Sequence, residues 1–403
     1  MKQPKIRFKG FSGEWEKSTI GNISTSFSGG TPSVGVANYY GGSIPFIRSG
    51  EIAEDKTQLF LTEEGLNSSS ARMVEKGTLL YALYGATSGE VGVSKIDGAI
   101  NQAILAIIPK KGYSTTYLSH YLRGKKDIIV GALLQGGQGN LSGALVKEVE
   151  VNLPRTFEEQ CAIANYLDHL DTLIQSTTKK IDSLKQVKAA SLQSMFPQEG
   201  ETTPRVRFKG FEGEWEIVPI KNIASFSKGN GYSKSDLRES GSPIILYGRM
   251  YTKYEVTIND VDTFVVPKPN SVYSFGNEVI LPASGETPED ISCASAVKKK
   301  GIILGGDLNV LKFDIKNNNT TFIALSLSSG KTKMELSNMA QGKSVVHLHN
   351  SDIEKVSILM PSYAEQQQIA SYFTALDSQI SLHSQRLEKL KQIKSACLDN
   401  MFV

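Results

Sequence analysis

The sequence predicts a mixed α/β (α+β) protein built as a pseudo-twofold internal repeat, in which two globular domains alternate with two long helices that form an antiparallel coiled coil. Three observations predict this fold class: a short motif occurs twice, a helical segment occurs twice, and the stretches between them are dissimilar and rich in short β-like runs. The chain has 403 residues, and globular domains typically have about 100–200 residues each. The length therefore suits two or three domains.

The short motif is the first repeated feature. Residues 4–16 read PKIRFKGFSGEWE and residues 204–216 read PRVRFKGFEGEWE, so ten of thirteen positions are identical at an offset of 200. A segment that recurs at a fixed offset indicates that the chain is built from structural repeats. Because Trp15 and Trp215 belong to the motif, we expect them to pack against a shared element, either the ends of the long helices or a partner protein.

The second repeated feature is a helical segment of about 40 residues, bounded by prolines as helices often are. It contains neither glycine nor proline, and its apolar residues recur at steps of four and three, which predicts a narrow seam that packs against another helix. A structural dimerisation or bundle element is the ordinary alternative. The first seam is Ile163, Leu167, Leu170, Ile174, Thr177, Ile181, Leu184, Ser191 and Met195, broken by Lys188, and the second is Ile369, Phe373, Leu376, Ile380, His383, Leu387, Leu390 and Met401.

The arrangement of the repeats predicts how the helices pair. The two copies are expected to be antiparallel, since a whole domain separates them in the chain. About 38 helical residues would span about 57 Å at about 1.5 Å each, enough to hold two domains at a fixed distance. Residues 197–216 join the first helix to the second domain, so the matching residues 1–16 should lie beside the end of the second helix.

The variable stretches 17–153 and 217–360 have little sequence in common. Both contain short apolar runs separated by glycines, which indicates β-strands and loops, and short helices are predicted at 115–123 and 320–329. The expected division of the chain is a first domain with its motif, a first long helix, a second domain with its motif, and a second long helix. These four segments are 1–153, 154–197, 198–360 and 361–403.

Composition excludes several classes of protein. The net charge is +3, and the variable stretches hold 12 basic against 11 acidic and 16 basic against 14 acidic residues. Charge therefore neither indicates nor excludes nucleic-acid binding, and any basic surface must come from the arrangement of these residues in space. Cys161, Cys293 and Cys397 are too widely spaced for a zinc site and fit reduced thiols in the cytoplasm. Neither a signal peptide nor a membrane span is expected, because no apolar run reaches the necessary length.

No pattern of catalytic residues is found in the sequence. An adenine methyltransferase would need an Asn/Asp-Pro-Pro-aromatic loop and a nucleotide site would use GxGxxG, and the chain has neither. Residues 337–344, SNMAQGKS, lack the first glycine of a phosphate-binding loop. His347 and His349 alternate on a predicted strand without a third ligand at metal spacing. The sequence therefore predicts a non-catalytic chain without its own metal or cofactor.

Several motifs resemble a known family. The variable stretches resemble two versions of the target-recognition domain of type I restriction-modification specificity subunits, and the starts of both long helices resemble that family's helical regions. The resemblance covers almost the whole chain. Its segments are GGTPS (29–33), NYYGGSIPFIRSGEI (38–52) and GTLLYALYGATSGEVGVSKIDGAINQAILAIIP (77–109), then KGNGYSKSDL (228–237), YGRMYTKY (247–254) and LPASGE (281–286).

The resemblance implies a non-catalytic specificity subunit that directs adenine methylation or restriction by partner subunits. Each recognition domain would read one half of an asymmetric bipartite site in double-stranded DNA, and the helices would set the spacer between the halves. Two methyltransferase subunits would dock, one per repeat, and translocase-nuclease subunits would join them. S-adenosylmethionine, ATP and magnesium would belong to those partners, in the cytoplasm and away from membranes. Two alternatives are a coiled-coil adaptor that presents two ligand-binding domains without recognising DNA, and a fused methyltransferase.

Candidate DNA contacts follow from the chemistry of base edges, which arginine reads at guanine and asparagine or glutamine at adenine. Each candidate could instead be structural or solvated, and Ile100 and Ile104 would also fit a strand that buries Asn101 and Gln102. The candidates in the first domain are Arg48, Thr87, Asn101, Gln102, Gln135, Gln138 and Asn140, and those in the second are Lys228, Asn230, Tyr232, Lys234, Arg249, Tyr251, Ser284, Lys343 and His347.

Overall fold

A computed structural model describes residues 3–134, 141–342 and 345–402. The chain forms two compact units, the first comprising Met1–Thr178 with Gln385–Val403 and the second Lys179–Ser384. Each unit therefore holds one variable stretch and part of both long helices. Within the described ranges, no helix is both long and apolar enough to cross a membrane.

The described residues of the first unit form three sheets. The four-stranded sheet has the order β2-β9-β6-β7, a second has the order β4-β3-β8-β5, and β1 pairs with β10. The strands are β1 (Glu16–Thr19), β2 (Ser24–Ser28), β3 (Tyr40–Ile47), β4 (Phe60–Leu61), β5 (Arg72–Val74), β6 (Leu79–Ala82), β7 (Val91–Val93), β8 (Gly98–Ile100), β9 (Ile104–Pro109) and β10 (Glu150–Leu153). The α-helices are α1 (Ile20–Ile23), α2 (Glu63–Asn67), α3 (Thr115–Gly124), α4 (Lys126–Leu134), α5 (Gly143–Glu148) and α6 (Phe157–Met195), and 3₁₀ helices cover Ala37–Tyr39, Ser49–Glu51 and Gly85–Thr87.

In the second unit, the part of the chain that the structure describes forms four sheets, with the orders β12-β22-β18-β20-β15, β13-β16-β14-β21-β17, β11-β24 and β19-β23. The strands are β11 (Glu216–Pro219), β12 (Ala224–Lys228), β13 (Leu237–Arg238), β14 (Ser242–Ile245), β15 (Thr257–Ile258), β16 (Phe264–Val265), β17 (Val272–Tyr273), β18 (Glu278–Pro282), β19 (Ser284–Gly285), β20 (Ser295–Val297), β21 (Ile303–Leu304), β22 (Leu308–Phe313), β23 (Val346–His347) and β24 (Ser357–Met360). The α-helices are α7 (Arg249–Thr252), α8 (Pro288–Ile291), α9 (Thr320–Leu327), α10 (Gly330–Asn338), α11 (Asn350–Ile353) and α12 (Tyr363–Met401), and 3₁₀ helices cover Ile220–Asn222 and Lys234–Asp236.

The two units share a common core of strands although their variable stretches differ in sequence, and among the described residues β13, β15 and the pair β19-β23 occur in addition in the second. β2, β9, β6 and β7 correspond to β12, β22, β18 and β20, and all neighbours in both sets are antiparallel. In the second sheets, β3 runs parallel to β8 and β14 runs parallel to β21. The predicted mixed α/β repeat is confirmed, and α3 and α9 lie where short helices were predicted.

The central strands explain why the sequence contains continuous apolar runs. Along β6, Leu79 and Tyr81 belong to the core shared with α3 and α6, whereas Leu80 and Ala82 belong to the core on the other face of the sheet. A strand buried on both faces reads as an unbroken apolar run instead of an alternating one. The run LLYAL is therefore a central strand between two layers.

The long helices α6 and α12 have 39 residues each, and in both units they pack antiparallel as predicted. In the first unit Lys394 of α12 pairs with Asp171 of α6, and in the second unit Lys188 Nζ lies 2.5 Å from Asp377 Oδ1. Asp171 and Asp377 are equivalent in the repeat, as are Lys188 and Lys394. The lysine that interrupts the apolar seam is thus half of an interhelical ion pair.

The arginine of the repeated motif joins it to the start of a long helix. Arg7 Nε donates to Glu159 Oε1 at 2.7 Å, and Arg207 Nε donates to Glu365 Oε1 at 2.7 Å. The glutamate side chains are only 3% and 1% exposed. The hydrogen bond that Arg207 donates to Glu365 raises the pKa of Arg207. A buried carboxylate needs such a partner, so arginine in the motif and glutamate in the helix occur together in both copies.

The glutamine that follows each of these glutamates fixes a second helix. Gln160 Oε1 accepts from Ser114 N at 2.9 Å before α3, and Gln366 Oε1 accepts from Asn319 N at 3.0 Å before α9. Gln366 Nε2 also donates to Pro361 O at 3.0 Å. The repeated Glu-Gln pair therefore anchors both the motif and the neighbouring short helix.

The position expected for the termini is confirmed, and the tryptophans are buried in equivalent places beside α3 and α9. Trp15 is buried with its ring edge-on to Tyr117, and Trp215 is buried with its ring edge-on to Phe322. In the first unit Ile6 N donates to Asn400 O at 3.0 Å near the end of α12. The equivalent bond in the second unit joins Val206 N to Ser194 O at 2.8 Å near the end of α6.

Candidate nucleic-acid interface

In the first unit several loops leave the four-stranded sheet at the same end of its strands. Ser28, the last residue of β2, pairs with Leu105, and Ala82, the last residue of β6, pairs with Ile104 at the start of β9. Because neighbouring ends are aligned by these pairs, the loops 29–36 and 83–90 and the turn 101–103 emerge together. We call this set the first loop edge.

The second unit has the equivalent edge. Lys228 at the end of β12 pairs with Asn309, and Pro282 at the end of β18 pairs with Leu308 at the start of β22. The loops 229–236, 283–287 and 305–307 therefore emerge together, and we call them the second loop edge.

One further segment returns to this edge in both units. Leu141 N donates to Leu83 O at 3.1 Å, and Leu348 N donates to Ala283 O at 3.0 Å. Both leucines are buried. The candidates that precede them in the chain, Gln135, Gln138 and Asn140 in the first unit and Lys343 in the second, lie outside the described residues.

Three candidates lie together on the first loop edge. Asn101 and Gln102 occupy the turn between β8 and β9, where Asn101 Oδ1 accepts from Ala103 N at 3.0 Å and the exposed Gln102 accepts from Thr31 Oγ1 at 2.8 Å. They are therefore not buried strand residues. Thr87 lies in the 3₁₀ helix after β6, and its hydroxyl is 3.4 Å from Tyr84 O.

Arg48 follows β3 and already serves protein acceptors. Its Nη2 lies 2.7 Å from Glu51 Oε1 and 2.9 Å from Gln58 Oε1. The hydrogen bond from Arg48 is the main reason that the pKa of Glu51 is lowered to about 2, and the same bond raises the pKa of Arg48. The guanidinium is half-exposed and held in a fixed orientation.

Four candidates of the second unit lie at the end of β12 and in the loop that follows it. Lys228 and Lys234 are exposed, and within the described part of the chain neither forms an ion pair. Asn230 Nδ2 donates to Asn270 O at 3.0 Å. The hydroxyl of Tyr232 accepts from Lys268 N at 2.7 Å, which fixes the ring. The loop thus presents two cations on a backbone that is held in place.

Ser284 and His347 are cross-strand neighbours on β19 and β23. Ser284 is buried and His347 is exposed, with its ring stacked on His349 at a centroid distance of 6.4 Å. Among the residues that the structure describes, no group of three or more histidine, cysteine or acidic side chains could hold a metal ion.

Arg249 and Tyr251 lie on α7, which follows β14. Arg249 is only 8% exposed and pairs with Glu255 at 2.7 Å and with Asp262 at 2.5 Å. Its guanidinium is therefore occupied within the unit. Tyr251 packs near Tyr247, with ring centroids 6.2 Å apart. Contact with DNA remains a prediction for all sixteen candidates.

Two features of the loop edges were missed in the sequence. Gly29 and Gly229 begin the loops after β2 and β12, where an added Cβ would lie 1.8 Å from Ile100 O and 1.9 Å from Gly305 O. Val34, at the tip of the loop that Gly29 begins, is 82% exposed. A glycine after an apolar run suggests close backbone approach, but the neighbour it approaches is distant in sequence.

Comparison with known proteins identifies the family of both repeats. The family model described as the type I restriction modification DNA specificity domain matches residues 12–186 and 212–392. The type I restriction enzyme MjaIX specificity subunit of Methanocaldococcus jannaschii is 23% identical, over 96% of this chain and 92% of the relative. The MjaVIII specificity subunit of the same organism is 20% identical, over 96% of this chain and 91% of the relative.

A solved structure supports the same fold. The crystal structure of the type I restriction-modification S subunit from M. genitalium superposes with a TM-score of 0.66 at 16% identity, covering 100% of this chain and 99% of that chain. With both repeats matched by one family model, the chain belongs to the family of type I restriction-modification DNA specificity domains.

Proposed function

We propose that this chain is the DNA-recognition subunit of a type I restriction-modification assembly. Each unit reads one half of an asymmetric bipartite site in double-stranded DNA, and partner subunits methylate adenine or cleave. The chain itself is non-catalytic. The observation that carries the proposal is the contrast between a repeated structural frame and two loop edges of different chemistry, in a chain whose two repeats both match the family.

The loop edges differ in the way that two different half-sites require. Residues 29–36 of the first edge, GGTPSVGV, contain no charged residue, whereas residues 229–236 of the second, GNGYSKSD, contain Lys234 and Asp236 and follow Lys228 at the end of β12. Phosphate contacts position a protein on DNA, and base contacts give specificity. The same strand ends therefore present different readers in the two units.

The repeated frame supports docking of one partner in two copies. In the first unit Ile393, Ala396 and Asn400 lie on one face of α12, and the backbone of Ile6 bonds to Asn400. Ile6 and Ile393 are exposed, although large apolar side chains are usually buried. We call these four residues the first docking stripe.

The second unit repeats this surface with matching residue types. Val187, Ala190 and Ser194 lie on one face of α6, and the backbone of Val206 bonds to Ser194. Val187 and Val206 are again exposed. A surface that is retained in both copies suits a duplicated partner, and we propose one methyltransferase subunit on each stripe, with translocase-nuclease subunits joining that complex.

The remaining parts of the proposal concern location and the spacer. S-adenosylmethionine, ATP and magnesium would be bound by the partners, and the assembly would act in the cytoplasm, where the three free cysteines stay reduced. The four segments 1–153, 154–197, 198–360 and 361–403 would be exchangeable parts, with the helices setting the number of base pairs between the half-sites. An adaptor that does not recognise DNA has no support in the family match.

The proposal is tested by mapping methyladenine across the genome of a methylation-free host. The full chain would be expressed with a cognate methyltransferase subunit, and the control would express that subunit alone. We expect methylation at one asymmetric, gapped motif only when this chain is present. An assembled complex that methylates nothing, or that methylates the same positions without this chain, would contradict the proposal.

A further inference from the structure

Val34 is an exposed apolar side chain at the tip of the loop after β2. It is 82% exposed, the highest value among the large apolar residues that are exposed in the described ranges. It belongs to none of the apolar clusters of the first unit's described residues. Covering an exposed apolar group with a partner surface removes it from water and lowers the free energy of the complex.

The loop is fixed by hydrogen bonds at several points. Tyr40 Oη donates to Pro32 O at 2.7 Å, Val36 N donates to Ser33 O at 3.2 Å, and Thr31 Oγ1 donates to the side chain of Gln102 at 2.8 Å. At its base Gly29 N donates to Asn101 O at 3.2 Å. The tip therefore presents Val34 in a defined position, without a large ordering cost on binding.

The chemistry of the loop limits what it can recognise. It has no charged residue, and the hydroxyl of Thr31 is already used by Gln102. In the major groove thymine is the base that presents a methyl group, and apolar side chains read it by contact. The loop shares its edge with Asn101 and Gln102, whose amides suit adenine, the pairing partner of thymine.

The comparison of the two units favours DNA over a protein partner for this tip. The second unit has Tyr232 and Lys234 in the corresponding loop, so the apolar tip is not repeated. A partner present in two copies needs similar surfaces, as on the docking stripes, whereas two different half-sites need different readers. The position of Val34 fits the surface that diverges.

We propose that Val34 is a specificity-determining residue that reads the methyl group of a thymine in the half-site of the first unit. This inference rests on the proposed function and adds a base and a contact to it. Replacing thymine by deoxyuridine removes this methyl group alone and leaves the hydrogen-bonding edge unchanged. The contact can therefore be tested atom by atom.

The test measures DNA binding by the full chain in complex with its methyltransferase subunits. Each thymine of the site is replaced singly by deoxyuridine, on either strand, and affinities are compared for the unmodified chain, Val34→Ala, and Val36→Ala as a control from the same loop. For the unmodified chain we expect a loss of about fourfold at one thymine of the first half-site, as for one buried methyl group. Val34→Ala should lose a similar factor on thymine DNA and show no further loss on deoxyuridine DNA, whereas Val36→Ala should keep the deoxyuridine effect.

Three results would overturn the inference while leaving the proposed function intact: a first half-site without thymine, no deoxyuridine effect there in the unmodified chain, or the same effect in Val34→Ala. Normal specific DNA binding that coincides with weaker methyltransferase assembly in Val34→Ala would overturn it in favour of a protein contact. Absence of site-specific binding by the unmodified complex would contradict the proposed function, and this inference with it.

Discussion

Arg207→Ala is expected to lower the free energy of unfolding of the second unit by about 3–5 kcal/mol, the usual cost of removing one partner of a buried ion pair. The substitution leaves the carboxylate of Glu365, 1% exposed, without its cation. It also removes the donor to Gly213 O at 2.6 Å, so the motif loses its link to α12. Urea unfolding of the full chain, followed by circular dichroism, measures the change.

Arg205→Ala is the matched control, two residues away in the same motif. Arg205 is exposed and pairs with Glu201, four residues earlier in the chain. Exposed pairs of this kind contribute little to stability. We expect no measurable change for this variant. Arg7→Ala should reproduce the large loss in the first unit, because Arg7 and Glu159 form the equivalent pair. Equal and small changes for Arg205→Ala and Arg207→Ala would show that the buried pair does not hold the frame.

Gly29→Ala is expected to weaken recognition of the first half-site while leaving recognition of the second half-site unchanged. An added Cβ would lie 1.8 Å from Ile100 O, a backbone atom that cannot move without shifting β8. The loop after β2 and the turn at Asn101 would then separate, and the readers of the first loop edge would be displaced together. The effect is measured as the methylation rate of plasmids that carry either the complete site or a site with one half altered. We expect the rate at the complete site to fall at least about tenfold, which corresponds to about 1.4 kcal/mol.

Gly35→Ala controls for the removal of a glycine from the same loop. No atom lies within 4 Å of a Cβ added at Gly35, so methylation should stay near that of the unmodified chain. Gly229→Ala should give the complementary loss in the second unit, where the added Cβ would lie 1.9 Å from Gly305 O. If Gly29→Ala retained full recognition and stability, the assignment of the first loop edge to DNA would be wrong.

The repeated frame could be predicted from sequence because its signals are local. The apolar steps from Ile163 to Leu184 predicted the seam of α6, and the two copies of the motif predicted the positions of both termini. The reason for Lys188 in the seam could not be predicted, because its partner Asp377 is 189 positions away. Separations of 152 and 158 residues likewise concealed the pairs of Arg7 with Glu159 and of Arg207 with Glu365.

The loop edges were harder to predict, because their geometry depends on short strands that pair across large separations. Ser28 meets Leu105 and Lys228 meets Asn309, each about 80 residues apart in the chain. Spacing alone therefore identified suitable side chains without showing how they are engaged. Arg249 shows the consequence, since its guanidinium is enclosed by Glu255 and Asp262 although its residue type suits guanine.

The central claim, that each unit reads its own half of the site, is tested most directly by exchanging residues 217–360 for the corresponding segment of another family member with a known motif and mapping methyladenine in a methylation-free host. The exchange leaves both long helices and the first unit's variable stretch unchanged. We predict a gapped motif in which one half and the spacer length are retained and the other half becomes that of the donor. A motif altered in both halves, or unaltered in either, from an assembled complex would contradict the claim.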